Sequence, residues 1–132
     1  MSKILIIAEH DGETLNQATA KVVSCAAAIG GDIDIAVFGR GIDGVAAEAA
    51  AIEGIGRVLA VDAEHLAAPL AANWAAEAVA LAGDYTHLLG PSTTLGRDLM
   101  PRVAALLGVN QVSDIMEVTA PNSFKRLIYA GN

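Results

Sequence analysis

A single cysteine, Cys25, in 132 residues excludes an internal disulfide framework and fits a reducing compartment. Its neighbours Val22, Val23 and Ala26 place it as a buried helix residue, not a reactive thiol. Aromatic side chains make up only 4% of the chain, which argues against a deep aromatic pocket and against ligand capture by stacking. Positive charge is equally scarce: eight basic against fifteen acidic residues leave a net charge of −7. Such a surface repels a phosphate backbone, so nucleic acid and anionic membrane are poor partners, and the acidity reads as a solubility device. No apolar run approaches the roughly 20 residues of a membrane span. Met1-Ser2-Lys3 passes straight into Ile4–Ile7, too short for a signal-peptide core and without a cleavage signal. The expectation is a soluble, intracellular protein that carries no transit peptide.

What the chain does have is apolar content, 54%, largely alanine, ample for the core of one domain over residues 1–132 and incompatible with disorder. The alanines favour helices lying close against a sheet. Ile4–Ala8, Ile33–Phe38, Val58–Val61 and His87–Leu89 are continuous apolar runs, the pattern of parallel strands covered on both faces. Between them Leu15, Ala18, Val22, Cys25 and Ile29 recur at helical spacing, with Thr14 and Gln17 reading as a capping box and Gly30-Gly31 as the stop. Val45–Ile52 is a second helix, ended by Gly54 and Gly56. Pro69–Leu81 is a third and carries Trp74, a core or interface anchor. A fourth begins between Thr94 and Leu99, and because proline is comfortable in a first turn, Pro101 favours Asp98 as its N-cap. Ser113–Val118 and Phe124–Tyr129, joined by Ala-Pro-Asn-Ser, predict an antiparallel C-terminal hairpin. The fold class is therefore α/β, a three-layer α/β/α sandwich with a mostly parallel sheet. No repeat, linker or second domain is visible.

The most suggestive junction is the strand, Gly/Ser/Thr turn and helix of Tyr85–Val109. Gly90 to Asp98 is one residue too long for a Walker phosphate loop. It has Arg97 where lysine belongs and Asp98 where a magnesium-binding hydroxyl belongs, and that carboxylate repels phosphate. A looser phosphate-binding turn built from Ser92, Thr93, Thr94 and Arg97 stays open beside the plainer reading of a capped turn. After the first strand, Glu9-His10-Asp11-Gly12-Glu13 sets three carboxylates where a dinucleotide's pyrophosphate would lie, which excludes a Rossmann site. Glu9, His10, Asp11 and Glu13 also admit a metal or acid/base reading, against a solvated loop with a hydrogen-bonded histidine as the commoner outcome. His65 precedes a helix and His87 lies inside a strand, and neither has a nucleophile or metal-motif context. Catalytic and metal-binding residues are accordingly read as none.

Taken together, Ile7-Ala8-Glu9-His10, Gly90–Ala104 (above all Leu95-Gly96-Arg97-Asp98 and Pro101-Arg102-Val103-Ala104), Val112-Ser113-Asp114-Ile115 and Arg126–Asn132 resemble the N-terminal part of electron transfer flavoprotein α subunits. The likeness runs in order over essentially the whole chain. It implies a domain similar to adenine-nucleotide α-hydrolase and universal-stress folds, followed in the family by a C-terminal FAD-binding domain and paired with a β subunit that holds AMP. It further implies that FAD in the intact protein carries electrons from acyl-CoA and other dehydrogenases to a quinone oxidoreductase, in the bacterial cytoplasm or the mitochondrial matrix. The family's FAD motifs would lie beyond Asn132, so no position here inherits a flavin role, and the chain is expected to lack its closing strands. An exposed strand at Phe124–Tyr129 would then invite self-association. The competing reading is a free-standing nucleotide-binding domain of universal-stress type, with a hydrolytic or acyl-transfer enzyme a distant third for want of a paired nucleophile and base.

Overall fold

The computed structural model describes residues 3–91, 93–108, 111–112 and 126–130. Its elements follow in the order β1 (Lys3–Ile7), α1 (Ala18–Ile29), β2 (Asp32–Gly39), α2 (Asp43–Ala50), β3 (Arg57–Asp62), α3 (Ala71–Leu81), β4 (His87–Pro91), α4 (Thr94–Leu107), β5 (Gln111–Val112) and β6 (Arg126–Ala130). The strands form one sheet in the order β3-β2-β1-β4-β6-β5, and every pairing among them is parallel.

Strand alternation sorts the core into two layers. Ile4, Ile6, Ile33, Ile35 and Val37 point to one face, where Val22, Val23 and Ala26 of α1 and Val45 and Ala49 of α2 cover them. Leu5, Ile7, Phe38 and Leu88 point to the other, under Trp74, Ala75 and Ala78 of α3 and Leu99, Met100 and Val103 of α4. Because successive strand residues face opposite sides and both sides are buried, the central strands are apolar almost throughout, with Asp34 the buried exception in β2. That is why β1 and β2 stand out as apolar runs. Alanines on α1 and α3 let the helices sit close to the sheet, and fully buried Trp74 fills the volume that small neighbours leave.

Helix starts depart from expectation in three places. Thr14 and Gln17 form no capping box: α1 begins at Ala18 and Gln17 makes no side-chain cap. Asn16 does the work, its Oδ1 accepting from the Ala18 amide at 2.8 Å, while Thr14 is drawn into the loop by Asp11. Pro69 lies outside α3, since Leu70 before the helix is still extended. The N-cap of α4 is Thr93, not Asp98: its hydroxyl accepts from the Gly96 amide at 3.1 Å, the helix runs from Thr94, and Pro101 lies in its interior. A good side-chain cap and a buried apolar face outweigh the interior proline, whose ring is turned to solvent.

Ser113–Val118, one arm of the expected hairpin, lies outside the described residues. The other arm corresponds to β6, which pairs with β4 along five positions, Arg126 to Ala130, and with β5 at Leu127 and Ile128. β6 is therefore an interior strand, correcting the expectation that Phe124–Tyr129 leaves a bare edge. Among the described residues β3 and β5 end the sheet.

Candidate functional site

The strand order reverses between β1 and β4: β1 pairs with β2 on one side and with β4 on the other. In open α/β sheets the crevice at the carboxyl ends of two such strands is where ligands bind. Two loops meet there, the one after β1 beginning at Ala8 and the one after β4 containing Thr93.

Glu9 joins them. Its Oε1 accepts from the Thr93 hydroxyl at 2.7 Å, and its Oε2 accepts from the Asn16 side-chain amide at 2.8 Å. Its carbonyl accepts from the Asn16 backbone amide at 2.9 Å. Both partners cap helices: Asn16 caps α1 and Thr93 caps α4. One carboxylate thus lies between the amino ends of two helices that pack on opposite faces of the sheet, where both macrodipoles favour negative charge. Gly96 is required in this arrangement, because a Cβ there would fall 1.7 Å from the Pro91 carbonyl oxygen.

The phosphate-turn candidates are placed as follows. Thr93 is committed twice, donating to Glu9 and accepting from Gly96. Thr94 opens α4 on the exposed side. Arg97 is exposed, and its backbone amide bonds the Thr93 carbonyl at 2.8 Å. Ser92 lies outside the described residues. Asp98 forms an exposed ion pair with Arg102 one turn along, at 3.1 Å.

The acidic loop is built as a set of turns. Asp11 Oδ1 accepts from the amides of Thr14 at 2.8 Å and Glu13 at 2.9 Å, and these bonds hold its carboxyl below the usual carboxylate range, Thr14 contributing most. His10 is tied to backbone at both nitrogens. The Gly12 amide can only donate, so Nδ1 accepts it at 2.9 Å, and Nε2–H donates to the Phe38 carbonyl at 2.6 Å. The imidazole stacks on Trp74, which meets Phe38 edge-on. A cavity of about 110 Å³ lies above this stack, bordered by His10, Arg40, Ala67, Pro69 and Trp74. That is well below the several hundred Å³ of a typical cofactor pocket. Among the described residues no group of three or more His, Cys, Asp or Glu side chains converges as metal ligands. His65 bonds Glu77 at 3.1 Å on the surface, and buried His87 lies within β4 with Nδ1 2.9 Å from the Thr86 hydroxyl.

At the amino ends of the strands, away from the crevice, is a cluster that composition and motif reading missed. Asp34, 4% exposed inside β2, takes the Tyr85 hydroxyl at 2.7 Å and the Arg57 guanidinium at 3.0 Å on the same oxygen. Burial and then the bond to Asp34 push the Tyr85 phenol up to about 12. The signal was a carboxylate in an otherwise apolar strand, Asp32-Ile33-Asp34-Ile35, since a buried charge needs partners. Cys25 is half-buried in α1, with its thiol pushed up by burial.

Residues 4–132 match the model of the electron transfer flavoprotein domain. The chain is 48% identical over 129 residues to an electron transfer flavoprotein subunit alpha of Pseudomonas aeruginosa, covering 98% of this chain and 42% of that protein. It is 45% identical over 128 residues to the subunit alpha of Bradyrhizobium diazoefficiens, covering 97% and 41% respectively. With a mitochondrial subunit alpha of Oryza sativa it shares 36% identity over 136 residues, covering 97% and 38%. The chain thus spans about two-fifths of the length of these relatives.

Proposed function

The chain belongs to the electron transfer flavoprotein family, and from that premise we propose that it is the N-terminal scaffold domain of an electron transfer flavoprotein α subunit. Together with a β subunit it forms the base on which a flavin domain rests. In the intact protein FAD, held outside these residues, carries electrons from acyl-CoA and other dehydrogenases to a quinone oxidoreductase, and AMP belongs to the β subunit. The compartment is the cytoplasm of a bacterium, or the mitochondrial matrix in a eukaryote. No helix among the described residues is long and apolar enough to cross a membrane.

The observation that carries this reading is the crevice at the sheet's reversal point. The place where an α/β domain would take a cofactor is occupied by the chain's own Glu9, bonded to both flanking helix caps. The neighbouring cavity of about 110 Å³ is smaller than a flavin needs, which supports the reading of a domain that holds other parts in place. The acidic loop supports a non-catalytic role, because His10 spends both ring nitrogens on backbone groups and has neither left for acid/base work. Co-expression with a β subunit tests the scaffold directly. Co-elution of the two as a stable one-to-one complex is expected, and failure to associate would contradict it.

A further inference from the structure

We propose that the cavity above the His10–Trp74 stack binds a small monocarboxylate, acetate or propionate in size, and that Arg40 takes the carboxylate. The cavity lies at the carboxyl ends of three strands: His10 follows β1, Arg40 directly follows β2, and Ala67 and Pro69 come from the loop after β3. Ligands of open α/β sheets gather at that end. The site is on the β2 side of β1, whereas the Glu9 contact with Thr93 is on the β4 side. Volume sets the size of the occupant. A cavity of about 150 Å³ holds benzene, so one of about 110 Å³ holds roughly four or five non-hydrogen atoms.

The lining sets its chemistry. Ala67, Pro69 and Trp74 supply an apolar wall, and Arg40 supplies the positive charge. His10 is fixed by the Phe38 carbonyl and the Gly12 amide, so that side of the cavity is rigid. Asp11 also borders it, with Oδ1 spent on the amides of Glu13 and Thr14. Two donor groups here are poorly used by the chain itself. The Trp74 Nε1–H is buried with no hydrogen-bond partner among the described residues, and an unmet buried donor is costly. The Arg40 guanidinium, with five N–H groups, has one ion-pair partner among the described residues, Glu64 at 3.5 Å, and these side chains are 61% and 88% exposed. So exposed a pair contributes little. A carboxylate partly enclosed by the cavity is less screened and gains more from the same guanidinium. The site belongs to this chain alone and stands apart from the scaffold reading.

Trp74 is the sole tryptophan of the chain, so its fluorescence and its single indole N–H resonance report on the cavity directly. The experiment titrates the whole chain with sodium acetate, sodium propionate and neutral propionamide at constant ionic strength held by sodium chloride. It compares the wild type with Arg40→Gln, Glu64→Gln and the control Arg102→Gln on α4, and circular dichroism confirms folding. The expected result is a saturable change of the tryptophan signal with acetate or propionate in the millimolar range. Arg40→Gln should weaken it about tenfold or more, and Arg102→Gln should leave it unchanged. Glu64→Gln removes the competing carboxylate and should bind at least as tightly as the wild type, by up to about fivefold. The proposal is overturned if neither carboxylate gives a saturable change, if propionamide binds equally well, if folded Arg40→Gln binds like the wild type, if Arg102→Gln loses as much, or if Glu64→Gln weakens binding.

Discussion

Tyr85 shows how far a single side chain can matter at the amino ends of the strands, remote from the crevice. It donates to a carboxylate buried in β2, and a hydrogen bond to a charged group contributes about 1.5–3 kcal/mol. Tyr85→Phe should therefore lower unfolding stability by about 2 kcal/mol in urea titrations, leaving Asp34 with Arg57 alone. The pH dependence has a definite sign. The folded-state value of Tyr85 is raised from 10 to about 12, so folding favours the protonated phenol. That stabilisation is complete below pH 10 and is lost as pH rises through about 12. Tyrosinate absorbance followed against pH should show this phenol ionising late and in step with unfolding, and a phenol titrating near its ordinary value would contradict the geometry. Gly96 is as restrictive in its way. Gly96→Ala places a methyl 1.7 Å from the Pro91 oxygen and should cost about 1–3 kcal/mol or more through forced backbone movement.

At the level of elements, the capping of α4 sets two expectations of opposite sign. Thr93→Ala removes a cap worth about 0.5–2 kcal/mol and unties Glu9, so thermal unfolding should fall and hydrogen exchange should rise in both loops at once. Exchange rising only near α4 would show that the Glu9 tie carries nothing. Pro101→Ala should stabilise, because proline inside a helix is about 3 kcal/mol less favourable than alanine and this one is solvent-facing within α4. How much was legible in the sequence follows from the same physics. β1, and β2 apart from Asp34, were readable because burial on both faces forces nearly continuous apolar runs. The start of α4 was not, because proline position is a local rule that Thr93 and the buried Leu99–Val103 face override. Asn16 was missed since a Thr-x-x-Gln pattern outranks it by motif, while only the fold shows Asp11 claiming Thr14. The meeting of Thr93 and Asn16 on Glu9 brings together residues up to 84 positions apart, and no local pattern encodes it. Its parts were visible only as an acidic loop and a candidate phosphate turn.

For the molecule as a whole, two apolar layers against one parallel sheet make a domain whose chemistry is confined to strand ends. The net charge of −7 keeps that surface averse to polyanions. Self-association remains a proposal, now transferred from β6 to β3, whose outer side pairs with no strand among the described residues. Light scattering at high concentration should detect dimers, and a clean monomer would remove the idea. We propose that this domain of the electron transfer flavoprotein family supports a flavin it does not itself bind. The most direct test is the flavin content of the purified 132-residue chain by visible absorbance after incubation with excess FAD and desalting. A colourless protein with far less than one flavin per chain is expected. One tightly held FAD per chain would contradict it.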